Sequence, residues 1–187
     1  MTVAGEEYSF NGNSLVRGNG ANGKRAGDRV AEMAQAGKTS GTVNFIAIVS
    51  QGNLASAVST SGWAFKFPGR VGDSPLIGAG NYCDSRFGAC ACTGMGEWSI
   101  RASTARSVVM GIQLGMDLID ACRFAMKDLR TIPLPDGVET VMNLIAIDRN
   151  GGHAGLTTTP GRTYIWQTGD MARFETQPRT IIAAGGP

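Results

Sequence analysis

The chain has 187 residues, of which 42% are hydrophobic and 17% charged, and a formal net charge of +2. That is enough for one core-forming domain, and acids and bases are too evenly mixed to point to nucleic acid or an anionic membrane surface. No apolar run approaches the roughly 18 residues of a membrane-spanning helix, and MTVAGEEYSF at the start lacks the basic and apolar regions of a secretory signal, so a cytoplasmic location is expected.

In chain order, residues 1–27 read as a weakly structured lead, punctuated by Asn11-Gly12-Asn13 and Gly18-Asn19-Gly20. Asp28 is placed to cap a short helix running to Ala36 and ended by Gly37. Residues 37–41 then connect to Val43–Ser50, which is nearly all apolar and reads as a central, buried strand. Gln51-Gly52-Asn53 turns it into Leu54–Thr60, and so short a turn makes the pair an antiparallel hairpin with Thr42 and Thr60 at one end.

Residues 62–83 read as a Gly/Pro-rich loop. Gly88–Thr93 is a strand of small residues, with Cys90 and Cys92 on one face. A single helix is expected over Glu97–Gly115, with Ala105, Val108, Val109 and Ile112 on its apolar face. A second, capped by Asp117, carries Ile119, Cys122, Phe124 and Met126. Further strands are expected at Thr140–Ile147, His153–Thr158 and Tyr164–Gln167, and the tail from Gln177 reads as irregular. This order describes an α+β domain with packed layers.

Few residues are equipped for chemistry. Cys83, Cys90, Cys92 and Cys122 form no C-x-x-C pair and read as small buried thiols, so no zinc or redox motif is present and neither metal nor cofactor is expected. The single histidine, His153, lies in a glycine-rich turn and reads as a solvated side chain. If the chain hydrolyses something, its base is then not a histidine. An N-terminal threonine avoids the need for one, because its own α-amine, titrating near ~8, takes the hydroxyl proton. Thr42 follows a glycine and opens a strand, though by pattern alone a threonine there is ordinary. Arg70 and Asp73, three residues apart on the loop, offer one positive and one negative group, which suits the zwitterionic head of a free amino acid; the same pair also reads as a surface ion pair. Glu97 and Arg101, at i and i+4, read as structural, and Trp63, Trp98 and Trp166 as packing residues.

The run from Ser59 to Glu97, STSGWAFKFPGRVGDSPLIGAGNYCDSRFGACACTGMGE, resembles the β-subunit of the N-terminal-nucleophile (Ntn) hydrolases of the glycosylasparaginase and isoaspartyl peptidase/asparaginase kind. PGR-x-GDSP-x-IGAG followed by TG-x-GE carries the likeness, which extends over about residues 41–175. The resemblance implies an αββα sandwich. It implies that Thr42 is the nucleophile, exposed by self-cleavage of the Gly41–Thr42 bond, and that the Thr60 hydroxyl contacts it. Arg70 then holds a substrate α-carboxylate as a planar guanidinium can, Asp73 pairs with the α-ammonium, and Thr93 and Gly94 stabilise the oxyanion. The implied reaction is hydrolysis of an aspartyl side-chain amide.

The aromatic-flanked Lys66 in GWAFKFPGR favours the glycosylasparaginase branch, with N4-(β-N-acetylglucosaminyl)-L-asparagine as substrate and isoaspartyl peptidase/L-asparaginase as the alternative. Two features depart from the family. Relatives carry a segment of comparable length ahead of the nucleophile, whereas residues 1–41 read as a short lead before the domain at 42–187. The sandwich is therefore expected to be incomplete, and the chain to be a homo-oligomer or to need a complementing chain. Gly41 also stands where glycosylasparaginases usually place an aspartate. A third reading, from another class, is a truncated, catalytically silent derivative that binds an amino acid or a partner chain.

Overall fold

The computed structural model describes residues 2–3, 6–10, 15–17, 41–63, 66–133 and 141–182. It divides into two compact units, Met1–Gly41 with Ser61–Arg70, and Thr42–Thr60 with Val71–Pro187. The helix expected from Asp28 lies outside the described residues.

The first unit contains strands β1 (Thr2–Val3), β2 (Glu6–Phe10) and β3 (Leu15–Arg17), paired antiparallel in that order. Within the stretch read as a weakly structured lead, Glu6–Phe10 and Leu15–Arg17 pair antiparallel, while Asn11-Gly12-Asn13 and Gly18-Asn19-Gly20 lie outside the described residues. The same unit holds a turn at 67–70, closed by the Arg70 N–H on the Phe67 carbonyl at 3.0 Å.

The second unit is built on a five-stranded sheet ordered β12-β9-β8-β7-β6. Its members are β6 (Asn81–Asp84), β7 (Gly88–Gly94), β8 (Met142–Asp148), β9 (His153–Thr157) and β12 (Thr180–Ile181). All neighbours are antiparallel except β12 with β9. One face of the sheet carries Cys92 opposite Leu144 and Leu156, and Cys90 opposite Ala146 and Ala154. This row lies in the hydrophobic core with three helices, α1 (Gly96–Ala102), α2 (Thr104–Gln113) and α3 (Leu118–Thr131).

On α2 the buried residues Ala105, Val108 and Val109 follow the expected phase. On α3 the buried face is Ala121, Cys122, Ala125, Met126 and Leu129, which leaves Phe124 exposed rather than in the core. Gly111 lets the two helices touch, since a Cβ there would sit 2.9 Å from that of Ala121.

Strands β4 (Thr42–Ile48) and β5 (Leu54–Thr60) form a separate hairpin packed on β6, β7 and β8. Strands β10 (Thr163–Trp166) and β11 (Glu175–Pro178) form another, whose Tyr164 ring lies against Gly155. β7 is therefore covered on both faces, which is why it is made of Gly, Ala and Cys, all buried from Gly88 to Cys92.

Four expectations are corrected here. β4 is not a central strand: its residues alternate between half-buried and exposed, with Val43 54% and Phe45 64% exposed. The stretch 62–83 is not all loop, because Asn81–Asp84 pairs with β7. The tail from Gln177 is not irregular, since it completes β11 and supplies β12.

The helix expected over 97–115 is broken at Ser103, which adopts a left-handed conformation (φ 48°). The break lets the first free N–H groups of α2 find tertiary partners: Ala105 donates to the Ala79 carbonyl at 3.2 Å and Arg106 to that of Gly78 at 2.8 Å. Asp117 does stand at the N-cap of α3, but its side chain makes no capping hydrogen bond.

Candidate functional site

β4 and β5 pair so that Thr42 faces Thr60 directly, and the Thr42 hydroxyl donates to the Thr60 hydroxyl at 3.1 Å. At the other end of this hairpin, the Leu54 N–H donates to Ser85 Oγ at 3.0 Å and its carbonyl accepts from Cys83 Sγ at 3.1 Å. Nearer the first end, Asn44 Nδ2 donates to the Cys92 carbonyl at 2.6 Å. Moving along the hairpin from Leu54 to Thr60 is thus moving along β7 from Gly88 toward Gly94. Thr42, Thr60, Thr93 and Gly94 lie at one end of the two packed layers.

Gly94 takes φ 133°, and a Cβ there would lie 2.1 Å from the Val141 carbonyl oxygen, so no side chain fits. Next to it, the Met95 N–H donates to that same carbonyl at 2.9 Å. Asn143 and Thr157 sit beside Thr93 in register. The Thr157 hydroxyl donates to Asn143 Oδ1 at 2.8 Å and receives the Thr159 N–H at 3.0 Å, so the strand ends around Thr93 are held by side chains as well as by the ladder.

The loop after Val71 is stitched to this end. The Asp73 carbonyl accepts from Leu76 N–H at 2.9 Å and Gly80 N–H at 3.2 Å; Gly80 in turn accepts from Cys92 N–H at 2.7 Å. Asp73 is buried. Its carboxylate lies against the first residue of α1: a Cβ on Gly96 would meet Asp73 Oδ1 at 2.8 Å and its backbone N at 2.9 Å. Gly80 is constrained from the other side, since a Cβ there would meet the Asp73 carbonyl oxygen at 2.6 Å. Gly41 and Arg70 belong to the first unit, where Gly41 is exposed and Arg70 half-buried.

His153 is not a solvated turn residue. It is half-buried, its Nδ1 lies 3.0 Å from the Tyr164 hydroxyl, and its ring stacks on Trp166 at 4.5 Å. It faces Ile147, at the far end of β8 and β9 from Asn143 and Thr157. Cys90, Cys92 and Cys122 are buried free thiols and Cys83 is half-buried. The hydrogen bond with Cys92, reinforced by burial, pushes Cys90 well above the usual thiol range, and burial takes Cys122 up to about 12. Among the described residues no helix is long and apolar enough to cross a membrane.

Asn44 and the Asn143–Thr157 pair belong to no motif in the sequence. The one visible signal was Asn44 itself, an amide beside Ile46 and Ile48 on the inward row.

A helix layer, a five-stranded sheet and a hairpin packed on it make this a mixed α/β protein. The sequence profile of the asparaginase family matches residues 8–174, and the chain belongs to that family. It is 42% identical over 128 residues to an isoaspartyl peptidase of Escherichia coli, covering 67% of this chain and 38% of that protein. It is 39% identical over 104 residues to an isoaspartyl peptidase/L-asparaginase of Mus musculus, covering 56% and 32%. It is 35% identical over 138 residues to an N(4)-(β-N-acetylglucosaminyl)-L-asparaginase of Elizabethkingia miricola, covering 72% and 41%. The chain thus spans about two fifths or less of the length of these relatives.

Proposed function

We propose that this chain is an amidohydrolase acting on the side-chain amide of aspartyl compounds, with Thr42 as nucleophile after scission of the Gly41–Thr42 bond. The observation that carries the reading is the Thr42–Thr60 hydroxyl pair, at the same end of the layers as Thr93 and Gly94.

In the cleaved protein the α-amine of Thr42 takes the proton from its own hydroxyl. The oxygen attacks the side-chain carbonyl, and the oxyanion that forms is met by the Thr93 hydroxyl and the Gly94 N–H. The C–N bond breaks as the proton passes to the departing amine, and water then cleaves the ester and releases aspartate. Thr60 orients the nucleophile, while Arg70 and Asp73 take the α-carboxylate and the α-ammonium.

The leaving group is read as a peptide or ammonia. Both the Escherichia coli and the Mus musculus relatives carry the isoaspartyl peptidase name, which weighs against the glycosylasparaginase reading drawn from GWAFKFPGR. The fold is read as part of an αββα sandwich, with the helices and the five-stranded sheet as two layers and the hairpins as part of the third. The outward row of β4, with Val43 and Phe45 exposed, supports a homo-oligomer or a complementing chain as its cover. The cytoplasm is the compartment proposed for this reading.

Intact mass and N-terminal sequencing test the scission directly. A fragment beginning at Thr42 that turns over a β-aspartyl dipeptide faster than N4-(β-N-acetylglucosaminyl)-L-asparagine is the expected result. A single uncleaved chain, stable over days and without turnover, overturns it in favour of a silent binding derivative.

A further inference from the structure

The inward row of β4 runs Thr42, Asn44, Ile46, Ile48. An amide among these isoleucines is costly to desolvate, where an aliphatic side chain would simply pack. Its donor has a specific partner. The Cys92 N–H donates to the Gly80 carbonyl at 2.7 Å, and in an extended strand the N–H and C=O of one residue open on the same edge. The Cys92 carbonyl therefore opens on that edge too, past the point where β6, which begins at Asn81 opposite Ala91, stops pairing with β7. Asn44 Nδ2 donates to this carbonyl at 2.6 Å. A carbonyl only accepts, so it fixes which end of the amide faces it. Asn44 Oδ1 is left buried with no hydrogen-bond partner among the described residues. The amide is retained for its donor, at the expense of an orphaned acceptor.

From this juxtaposition we propose that Asn44 is a positioning residue for catalysis. Two residues along the strand from Thr42, it grips the carbonyl immediately before Thr93. It thereby holds the Cys92–Thr93 peptide at a set distance from the strand end that bears the nucleophile. The inference rests on reading Thr42 as nucleophile and Thr93–Gly94 as the oxyanion pair. Nothing else on the inward face of β4 makes this link, because Ile46 and Ile48 can fill space but cannot fix the orientation of a peptide.

The test compares the full chain with Asn44→Leu and Asn44→Gln. Leucine keeps the volume and removes both the donor and the orphaned oxygen, so a purely structural role predicts a protein at least as stable with unchanged kinetics. The expected result for Asn44→Leu is an unchanged or raised melting temperature, scission at Gly41–Thr42 and kcat both down at least tenfold, and KM within about threefold. Asn44→Gln, which keeps a donor, recovers part of the loss. Equal kcat and scission in Asn44→Leu and the parent overturn the proposal. If the parent itself neither cleaves nor turns over, the functional reading has failed, and amide hydrogen exchange decides the positioning role. The expectation is then exchange at Thr93 and Gly94 at least tenfold faster in Asn44→Leu, with Val108 and Leu129 unchanged. Equal exchange at Thr93 and Gly94 overturns it.

Discussion

The hydroxyls of Thr42 and Thr60 lie 3.1 Å apart across directly opposed positions of β4 and β5, and Thr42 is the donor. A nucleophilic threonine needs its lone pair aimed at the substrate and its proton aimed at a base. A neighbouring hydroxyl on a rigid ladder fixes the side-chain torsion; once scission frees the α-amine to take the proton, the Thr60 hydroxyl can turn to donate to the same oxygen. Replacing Thr60 with Ala is expected to lower kcat by about 10²–10³, the usual scale for a group that directs proton transfer. Serine keeps the oxygen and is expected to stay within about tenfold of the parent. Because Thr60 is exposed, both variants should unfold within about 0.5 kcal/mol of the parent. Steady-state kinetics beside urea unfolding check both halves.

Gly96→Ala separates binding from chemistry. The new Cβ would press on Asp73 Oδ1 at 2.8 Å and on the Asp73 backbone N at 2.9 Å, and the carboxylate must move. Asp73 is read as holding the α-ammonium, remote from the reacting carbonyl. The expected outcome is KM raised by roughly tenfold with kcat within about threefold, the pattern of lost uniform binding. Overpacking costs about 1–3 kcal/mol of stability. A fall in kcat with unchanged KM would remove Asp73 from the head-group site.

The candidate site was drawn from the family motif, in which PGRVGD and CTG place Arg70, Asp73, Thr93 and Gly94; beside these residues Gly80, Gly94 and Gly96 leave no room for a Cβ. The fold was legible where burial is one-sided, as on α2. It was misread where burial and residue type part company. Val43 and Phe45 are apolar yet point outward, so β4 reads as central. Phe124 is apolar and exposed, so the face of α3 reads rotated. The break at Ser103 depends on the carbonyls of Gly78 and Ala79, some 25 residues earlier, and no local propensity reports such a partner. Asn44 was passed over for the same reason, since its partner Cys92 is 48 residues away.

The buried thiols give a pH dependence of definite sign. Burial holds Cys122 up at about 12, against roughly 8.5 in an unfolded chain. Below about pH 8.5 both states keep the proton, and the full stability is present. Above it the unfolded chain ionises and the folded one does not, so stability is expected to fall from about pH 9 toward 12. Urea midpoints measured from pH 8 to 10.5 should decline, and less steeply in Cys122→Ala. Iodoacetamide at pH 8 should modify only Cys83 in the native protein, and slowly, since burial raises its pKa too. All four cysteines should react after unfolding. Rapid native labelling of Cys122 would contradict the core described above.

Tyr164 gives a stability prediction with no catalytic component. Its hydroxyl lies 3.0 Å from His153 Nδ1 and donates to Gln177 Oε1 at 2.5 Å, so one phenol ties β9, β10 and β11 together. The ring is seated on Gly155, where a Cβ would come within 2.5 Å of Tyr164 Cδ1. Tyr164→Phe keeps the ring and strands the half-buried Gln177 oxygen and imidazole nitrogen, which costs about 1–3 kcal/mol. For a chain of this size that is a melting temperature lower by roughly 3–10 °C. Gly155→Ala displaces the ring itself and should cost at least as much, about 2–5 kcal/mol, through overpacking and loss of the same bonds. His153 lies at the opposite end of β9 from Thr157, the residue in register with Asn143 and Thr93. Below its melting temperature Tyr164→Phe should therefore keep kcat and KM within about twofold of the parent. A kinetic defect without thermal destabilisation would show that the Tyr164–His153 pair reaches the end of the sheet that bears Thr93, contrary to its register.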